Sequence, residues 1–286
     1  MDQQVNAGPE PARRAPMQLP LVERCGRTIS YRPSELTRCE TPCMSLETRQ
    51  MPQDTLMTPR DWSVHPSNAF PDYKSTALRG PKKPLIPIPH GLSELTGPVF
   101  GHDRVTAADA DLTLNGRTSG EPLGERIIVT GRMLDEAGRP QAGQLVEIWQ
   151  CNAAGRFVHV GEQHDAPLDP NFFGAGRCLT DAEGRYRFMT IRPGAYPWGN
   201  HHNAWRPGHI HLSLFGPSLL TRLVTQMFFP GDPLLPLDPI FNAVPDPASR
   251  HLLVANLSLA ATQPNFALGY EFDITLRGRN ATPFEA

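Results

Sequence analysis

Apolar and polar residues alternate in short runs from Glu125 to the C-terminus. The runs are ERIIVTGRML, QLVEIWQ, GRYRFMTI, GHIHLSLF, LVTQMFF and YEFDITLRG, and turn signals such as DEAGRP and DAEG separate them. Because successive side chains of a strand point to opposite faces, a period of two predicts half-buried β-strands. Short strands with frequent turns predict an all-β fold, here a β-sandwich.

The remaining segments predict three regions. Residues 1–57 have weak periodicity and many polar residues and prolines, so we expect a flexible N-terminal extension that buries little apolar surface. Residues 58–123 carry short segments between prolines and predict a loop-rich, extended segment that wraps over the core. Residues 109–114, within that wrapping segment, predict a short strand. The predicted sandwich core is residues 124–286, with one short helix in ASRHLLVANL (residues 248–257).

Composition and charge narrow the class of protein. The chain has 286 residues, with 27 basic and 29 acidic side chains and a net charge of −2. This balance, without a run of basic residues, gives no indication of nucleic-acid or anionic-membrane binding. No long apolar segment predicts a membrane span, the N-terminus lacks the apolar run of a secretory signal, and five irregularly spaced cysteines do not indicate a disulfide framework. We therefore predict a cytoplasmic protein.

The chemistry-bearing residues lie in RPGAYPWGNHHNAWRPGHIHLSLF. His209 and His211 are two residues apart in a predicted strand, so their imidazoles project from the same face and Ile210 from the other. Two neutral imidazoles form a metal-binding pair, and the phenol of Tyr196, in a Pro/Gly-rich loop, is a hard oxygen donor. Two histidines and a tyrosine favour non-haem Fe(III) over Zn(II). The alternative is a surface histidine pair on an edge strand.

The same stretch resembles the iron site of the intradiol ring-cleaving dioxygenases. Matching runs extend in one register over residues 58–286. They are TPRDW, PDYK, LTGPVFG, GERIIVTGR, VEIWQCNAAGRF, APLDPNF, TDAEGRYRF, RPGAYPW, WRPGHIHLSLFGPS, LVTQMFFPGDPL and FDITLRGR. A resemblance over this length is far more specific than a His-x-His motif alone.

The resemblance implies a metal centre with one departure. The residues that match the family's metal ligands are Tyr196, His209 and His211, and the ion implied is non-haem Fe(III). The family's fourth ligand is a tyrosine, but Phe157 stands at that position and has no oxygen to coordinate iron. Either iron binds through three protein ligands plus water or hydroxide, or efficient ring cleavage has been lost. Replacement ligands are also conceivable, namely His159 and His164.

The resemblance also assigns roles around the metal. Arg206 matches an arginine that stabilises the anionic substrate, Tyr196 matches a group that takes up a proton, and Gln226 matches a polar residue on the oxygen side. A structural ion pair is the alternative for Arg206. The residues that match the substrate pocket are Tyr73, Trp149 and Trp198, although core packing is the alternative for either tryptophan. A further family tyrosine is replaced by Phe228.

These matches imply a function in the catabolism of aromatic compounds. The expected enzyme cleaves protocatechuate (3,4-dihydroxybenzoate) with O2 and Fe(III) to 3-carboxy-cis,cis-muconate, and it pairs with a related α-type chain in a hetero-oligomer. One alternative is specificity for another catechol, such as catechol itself or hydroxyquinol. A second alternative is an impaired or non-catalytic subunit, for which Phe157 and Phe228 are the main arguments.

Overall fold

The computed structural model describes residues 61–67, 70, 72–74, 83, 102–202, 204–216 and 222–284. The predicted N-terminal extension, residues 1–57, lies outside the described residues, as does most of the predicted wrapping segment before residue 102. The predicted division of the chain near residues 57 and 123 therefore stays a prediction.

Strands form most of the regular structure in the described part of the chain. In chain order they are β1 (Arg126–Leu134), β2 (Leu145–Trp149), β3 (Ala175–Leu179), β4 (Arg185–Ile191), β5 (Tyr196–Trp198), β6 (Ala204–Arg206), β7 (His209–Phe215), β8 (Leu223–Phe228), β9 (Asn256–Leu257), β10 (Leu268–Glu271) and β11 (Ile274–Thr275). Short helices follow β8, namely α1 (Pro239–Ala243) and α2 (Pro247–His251). The predicted all-β class is confirmed.

The strands are arranged in two sheets and a hairpin. In the first sheet, β1 pairs antiparallel with β4 on one side and parallel with β10 and β11 on the other, and β9 pairs with β10. The second sheet has the order β3-β2-β7-β8 and is antiparallel throughout. Strands β5 and β6 form a separate two-stranded ribbon. The predicted single strand YEFDITLRG is two short strands, because the chain leaves the ladder between β10 and β11, where an Asp273 carboxylate oxygen accepts from the Arg132 amide.

The core lies between the two sheets. Strand β7 packs one face into this core and carries candidate site residues on the other face. Ile210, Leu212 and Leu214 are fully buried in the cluster that also holds the inward side chains of β1 and β4. Burial of each such side chain contributes about 1.5–3 kcal/mol, so the inward face of β7 is strongly fixed. The alternation predicted for β7 is therefore present, and it turns His209 and His211 away from the core.

The helical prediction for residues 248–257 is only partly right. Helix α2 begins earlier, where the Asp246 carboxylate accepts from the amide of Ser249 at 2.9 Å, and it ends at His251. Beyond it the backbone pairs with the end of β8, since the Phe228 amide donates to the Leu253 carbonyl and the Ala255 amide donates to the Phe228 carbonyl. After His251, pairing with the sheet therefore replaces the predicted continuation of the helix. Helix α1 is a second short helix that the sequence did not indicate.

The prediction of a strand at residues 109–114 is wrong. Residues Ala107–Ala110 form a 3-10 turn, and only Asp111 makes a single bridge, to Met189. The Asp109 carboxylate accepts from both the amide and the hydroxyl of Thr106 at 2.8 Å, which closes the turn locally. Strand β3 was missed, because Cys178 is its one fully buried position and its sequence AGRCL carries no clear alternation.

None of the helices in the described part of the chain has the length and apolar character needed to cross a membrane.

Candidate active site

His209 and His211 lie side by side on the outer face of β7. Their ring centroids are 4.8 Å apart, and the planes are inclined by 69°. His209 is 1% exposed, whereas His211 is partly exposed and stacks on the indole of Trp149 at 4.9 Å. The stack follows from strand register, because Trp149 of β2 pairs directly with His211. Both imidazoles are thus held in place by the sheet.

The hydrogen bonds of His209 fix its tautomer. Nδ1 lies 2.7 Å from the carbonyl oxygen of Pro207, which can only accept, so Nδ1 carries the proton. Nε2 therefore has its lone pair free to accept hydrogen bonds or to bind a metal. Burial, then the nearby charge of Arg206, and then His211 lower the pKa of His209 well below its usual value, so the ring is neutral. This is the state in which imidazole binds metals.

Tyr196 brings its phenol to the same nitrogen. Its hydroxyl lies 3.1 Å from Nε2 of His209, and its residue pairs with Arg206 in the β5–β6 ribbon. Burial raises the pKa of Tyr196 to about 12, although the nearby Arg206 acts in the opposite direction. The hydroxyl therefore keeps its proton at neutral pH and donates it to Nε2. The ribbon approaches the loop before Phe157 closely, and a side chain at Gly155 (φ +80°) would meet the Ala195 carbonyl.

Arg206 is a buried cation with four hydrogen bonds. It is 2% exposed and forms a two-pronged pair with Asp238, from Nε to Oδ1 at 3.0 Å and from Nη2 to Oδ2 at 2.9 Å. Nη2 also donates to Oε1 of Gln226 at 2.6 Å, and Nη1 lies 3.2 Å from Nε2 of His209. Arg206 is thus both a member of an ion pair and a neighbour of the histidine. Asp238 was missed in the sequence, where its only signal was an acidic residue before a proline.

Phe157 lies beside the candidate ligands. Its ring centroid is 5.3 Å from that of Tyr196 and 6.2 Å from that of His211. On the other side of the pair, Phe228 is opposite His209 in the β7–β8 ladder, with ring centroids 5.6 Å apart. Both positions where the family resemblance implies a tyrosine therefore carry apolar rings next to the histidines.

A cavity of about 730 Å³ opens over this group. Phe157, Tyr196 and His211 line it, together with the indoles of Trp149 and Trp198. Its size suits a small aromatic ligand, because binding pockets for small molecules have volumes of about 300–1,000 Å³. A second cavity of about 770 Å³ lies between β1, β4 and the turn Ala107–Ala110, but no histidine is present among its described lining residues. Of the two cavities, the first is therefore the one lined by candidate metal ligands, Tyr196 and His211.

The other predicted residues have different surroundings. Tyr73 is 3% exposed and packs edge-on against Trp198 at 4.8 Å, so its predicted contact with substrate stays a prediction. His159 is exposed and accepts a hydrogen bond from the Gly161 amide, and His164 packs against Trp205. Within the described ranges no three side chains of His, Cys, Asp and Glu are grouped to hold a metal ion. Neither His159 nor His164 is therefore grouped with His209 and His211 in the described part of the chain.

Comparison with known proteins identifies the family. A profile described as "Dioxygenase" matches residues 95–278, and one described as "Protocatechuate 3,4-dioxygenase beta subunit N terminal" matches residues 58–91. A protocatechuate 3,4-dioxygenase beta chain from Burkholderia cepacia is 61% identical over 235 residues, which cover 82% of this chain and 100% of that one. A hydroxyquinol 1,2-dioxygenase from Rhizobium sp. (strain MTP-10005) is 33% identical over 172 residues, covering 54% of this chain and 53% of that one.

The chain therefore belongs to the intradiol ring-cleavage dioxygenase family and is a dioxygenase-like oxidoreductase. Within that family it is similar to the protocatechuate 3,4-dioxygenase beta chain over the full length of the relative. A protocatechuate 3,4-dioxygenase alpha chain, also from Burkholderia cepacia, is 27% identical over 164 residues, covering 56% of this chain and 77% of that one. The family resemblance predicted from the sequence is confirmed.

Proposed function

We propose that this chain is the β-type subunit of an enzyme that cleaves protocatechuate with Fe(III) and O2 to 3-carboxy-cis,cis-muconate. The observation that carries the proposal is the convergence of Tyr196 and Arg206 on Nε2 of His209, with His211 beside it, under a cavity walled by tryptophans. The identity of 61% to a protocatechuate 3,4-dioxygenase beta chain supports the choice of substrate.

The donor set fits a ferric ion. Nε2 of His209 is unprotonated and buried, His211 projects from the same strand face, and the Tyr196 phenol is a hard oxygen donor within hydrogen-bond distance of Nε2. These three residues would hold the iron. When bound, iron supplies a Lewis acid that lowers the pKa of both catechol hydroxyls and a template that holds them.

The chain's own residues have separate tasks. As an iron ligand Tyr196 would be a phenolate, and its oxygen could then take up a proton that a catechol hydroxyl gives up on binding, because burial of the side chain favours the protonated phenol. The guanidinium of Arg206 also supplies a fixed positive charge for the anion that develops on the ring. Trp149 and Trp198 line the cavity and restrict water around a flat ring between them.

A partner chain of the α type would complete the cavity. Phe173 and Val158 line the cavity, yet 57% and 51% of their surfaces are exposed, and Trp205 nearby is 48% exposed. Large apolar side chains clustered at a cavity entrance are typical of a surface that another protein covers. The existence of a related alpha chain in Burkholderia cepacia, alongside the beta-chain relative, supports a hetero-oligomer.

A second candidate function is an impaired or non-catalytic subunit, and Phe157 is the observation that favours it. Phe157 stands at the sequence position where the resemblance implies a tyrosine ligand, its ring lies 5.3 Å from that of Tyr196, and no group of three His, Cys, Asp or Glu side chains that could hold a metal ion is found among the described residues. A related alternative is activity on another catechol, which the similarity to a hydroxyquinol 1,2-dioxygenase supports over about half of the chain.

The test is co-expression with an α-type chain, followed by oxygen uptake with protocatechuate, catechol and hydroxyquinol in parallel. We expect uptake to be fastest with protocatechuate, with a product at the mass of 3-carboxymuconate. Faster uptake with catechol or hydroxyquinol would assign the other specificity. No uptake with any of the three, in a complex that holds iron, would favour the non-catalytic subunit.

A further inference from the structure

Asp238 is a fully buried carboxylate at the start of α1, and its two oxygens contact the same arginine. Nε of Arg206 donates to Oδ1 at 3.0 Å, and Nη2 donates to Oδ2 at 2.9 Å. Asp238 is 0% exposed and Arg206 is 2% exposed. A parallel pair of hydrogen bonds fixes both the position and the plane of a guanidinium, which a single contact does not.

This pairing determines which edge of the guanidinium faces the candidate ligands. Because Nε and Nη2 are turned to Asp238, Nη1 is the nitrogen that reaches Nε2 of His209, at 3.2 Å. The Oε1 atom of Gln226 accepts from Nη2 at 2.6 Å and supports the same orientation. If the carboxylate were absent, Arg206 would keep two neutral partners, Gln226 and His209, and would lose the two-pronged contact that fixes its plane.

We propose that Asp238 is a positioning residue for the ring-cleavage reaction, which holds Arg206 so that Nη1 stays directed at His209 and Tyr196. The inference rests on the function proposed above. It gives Asp238 no contact with substrate or metal, because the whole effect passes through Arg206. Asp238 also supplies the negative charge that a buried guanidinium needs.

The chain provides a matched control in the next helix. Both α1 and α2 are five residues long, and both begin with an Asp-Pro pair in which the aspartate caps the helix. Asp246 accepts from the amide and the hydroxyl of Ser249 at 2.9 and 2.7 Å, and it makes no contact with Arg206. Asparagine caps helices about as well as aspartate, so Asp→Asn leaves the cap of either helix in place. Only Asp238→Asn removes the negative charge that pairs with Arg206.

The experiment compares Asp238→Asn, Asp246→Asn, Arg206→Ala and the double variant Asp238→Asn with Arg206→Ala, each co-expressed with an α-type chain. We expect Asp238→Asn to lower kcat by about 10- to 100-fold, which is typical of losing a residue that orients another residue of the site. The iron content should stay near the wild-type value. We expect Asp246→Asn to match the wild type. In the Arg206→Ala background, Asp238→Asn should change kcat by less than about twofold, because no guanidinium remains to be positioned.

A structural measurement separates positioning from stability. In crystals of this chain grown without iron, we expect the Arg206 guanidinium of Asp238→Asn to be rotated or displaced, with Nη1 beyond 3.5 Å from Nε2 of His209. A guanidinium in the wild-type place would overturn the proposal, as would an unchanged kcat or an equal loss of kcat in the Arg206→Ala background. If Asp238→Asn does not fold, Arg206→Lys decides the question, because lysine keeps the charge but cannot form the two-pronged pair. A wild-type kcat in Arg206→Lys would then overturn the proposal.

Failure of the proposed function can be distinguished from failure of the inference about Asp238. A wild-type complex that cleaves no catechol would contradict the assignment of the reaction. The position of the guanidinium in the crystals would still show whether Asp238 orients Arg206.

Discussion

At the residue scale, one proton decides whether His209 can bind a metal. The Pro207 carbonyl holds that proton on Nδ1, and the charge of Arg206 acts against a second proton on Nε2. The lone pair of Nε2 is thereby directed toward the Tyr196 hydroxyl and the Arg206 guanidinium. A backbone carbonyl and a buried arginine, neither of them a candidate ligand, thus prepare the ring for coordination.

We predict that His211→Ala abolishes most iron binding while the protein stays folded. His211 lies on the outer face of β7 and is partly exposed, so its removal leaves the core between the sheets intact. Iron content by elemental analysis and far-UV circular dichroism measure the two effects. The control is His159→Ala, which removes an exposed imidazole that also lines the cavity. Equal iron content in His211→Ala and His159→Ala would show that His211 is not a ligand.

We predict that Phe157→Tyr raises iron occupancy and adds a second phenolate to the charge-transfer band. The Phe157 ring lies 5.3 Å from the Tyr196 ring and 6.2 Å from the His211 ring, so a hydroxyl at this position is close to the candidate ligands. The extra anionic donor should hold Fe(III) more tightly and increase cleavage of protocatechuate. Phe173→Tyr is the control, because it adds a hydroxyl to an exposed ring in the same cavity wall. If the spectrum and iron content of Phe157→Tyr equal those of Phe173→Tyr, the Phe157 side chain is not directed at the metal.

At the scale of the element, β7 has two tasks on its two faces. Its inward face contributes Ile210, Leu212 and Leu214 to the core, and its outward face carries the histidines. The strand pairs with β2 on one side and β8 on the other, so Trp149 and Gln226 are both opposite His211. The packing that stabilises the sandwich is therefore the same packing that sets the spacing of the histidines.

We predict that Leu212→Ala lowers the free energy of unfolding by about 2–5 kcal/mol, since it opens a cavity at a fully buried position. Urea denaturation of the iron-free protein measures this effect. Leu259→Ala is the control, because 82% of Leu259 is exposed and truncation there should change stability by less than about 0.5 kcal/mol. Equal urea midpoints for the two variants would mean that the Leu212 side chain does not contribute to the stability of the core.

Sequence patterns predicted β7 and β8, because each is a short, largely apolar run bounded by turn residues, although both strands are buried at most positions and their burial does not alternate. They failed where tertiary contacts decide the local structure. The backbone after His251 joins the end of β8 instead of continuing a helix, and Asp109 closes a turn where a strand was expected. At the site, spacing predicts the histidine pair, but the partnership of Arg206 with Asp238 joins residues 32 positions apart, and no local pattern indicates it.

At the scale of the whole molecule, the cavity is bounded by strands of the second sheet and by an irregular loop. Strands β2 and β7 form its floor with Trp149 and His211, and the loop that holds Phe157 and His164 forms one wall. The exposed apolar side chains at the entrance, Phe173 and Val158, are where an α-type partner is expected.

The central claim is that this chain holds Fe(III) through Tyr196, His209 and His211 despite Phe157. The most direct measurement is the iron content and visible spectrum of the wild-type complex with its α-type partner, recorded before and after addition of protocatechuate without oxygen. The account predicts about one iron per β-type chain, a phenolate charge-transfer band and a shift of that band when protocatechuate binds. A colourless complex without iron, purified under conditions in which Phe157→Tyr binds iron, would contradict it.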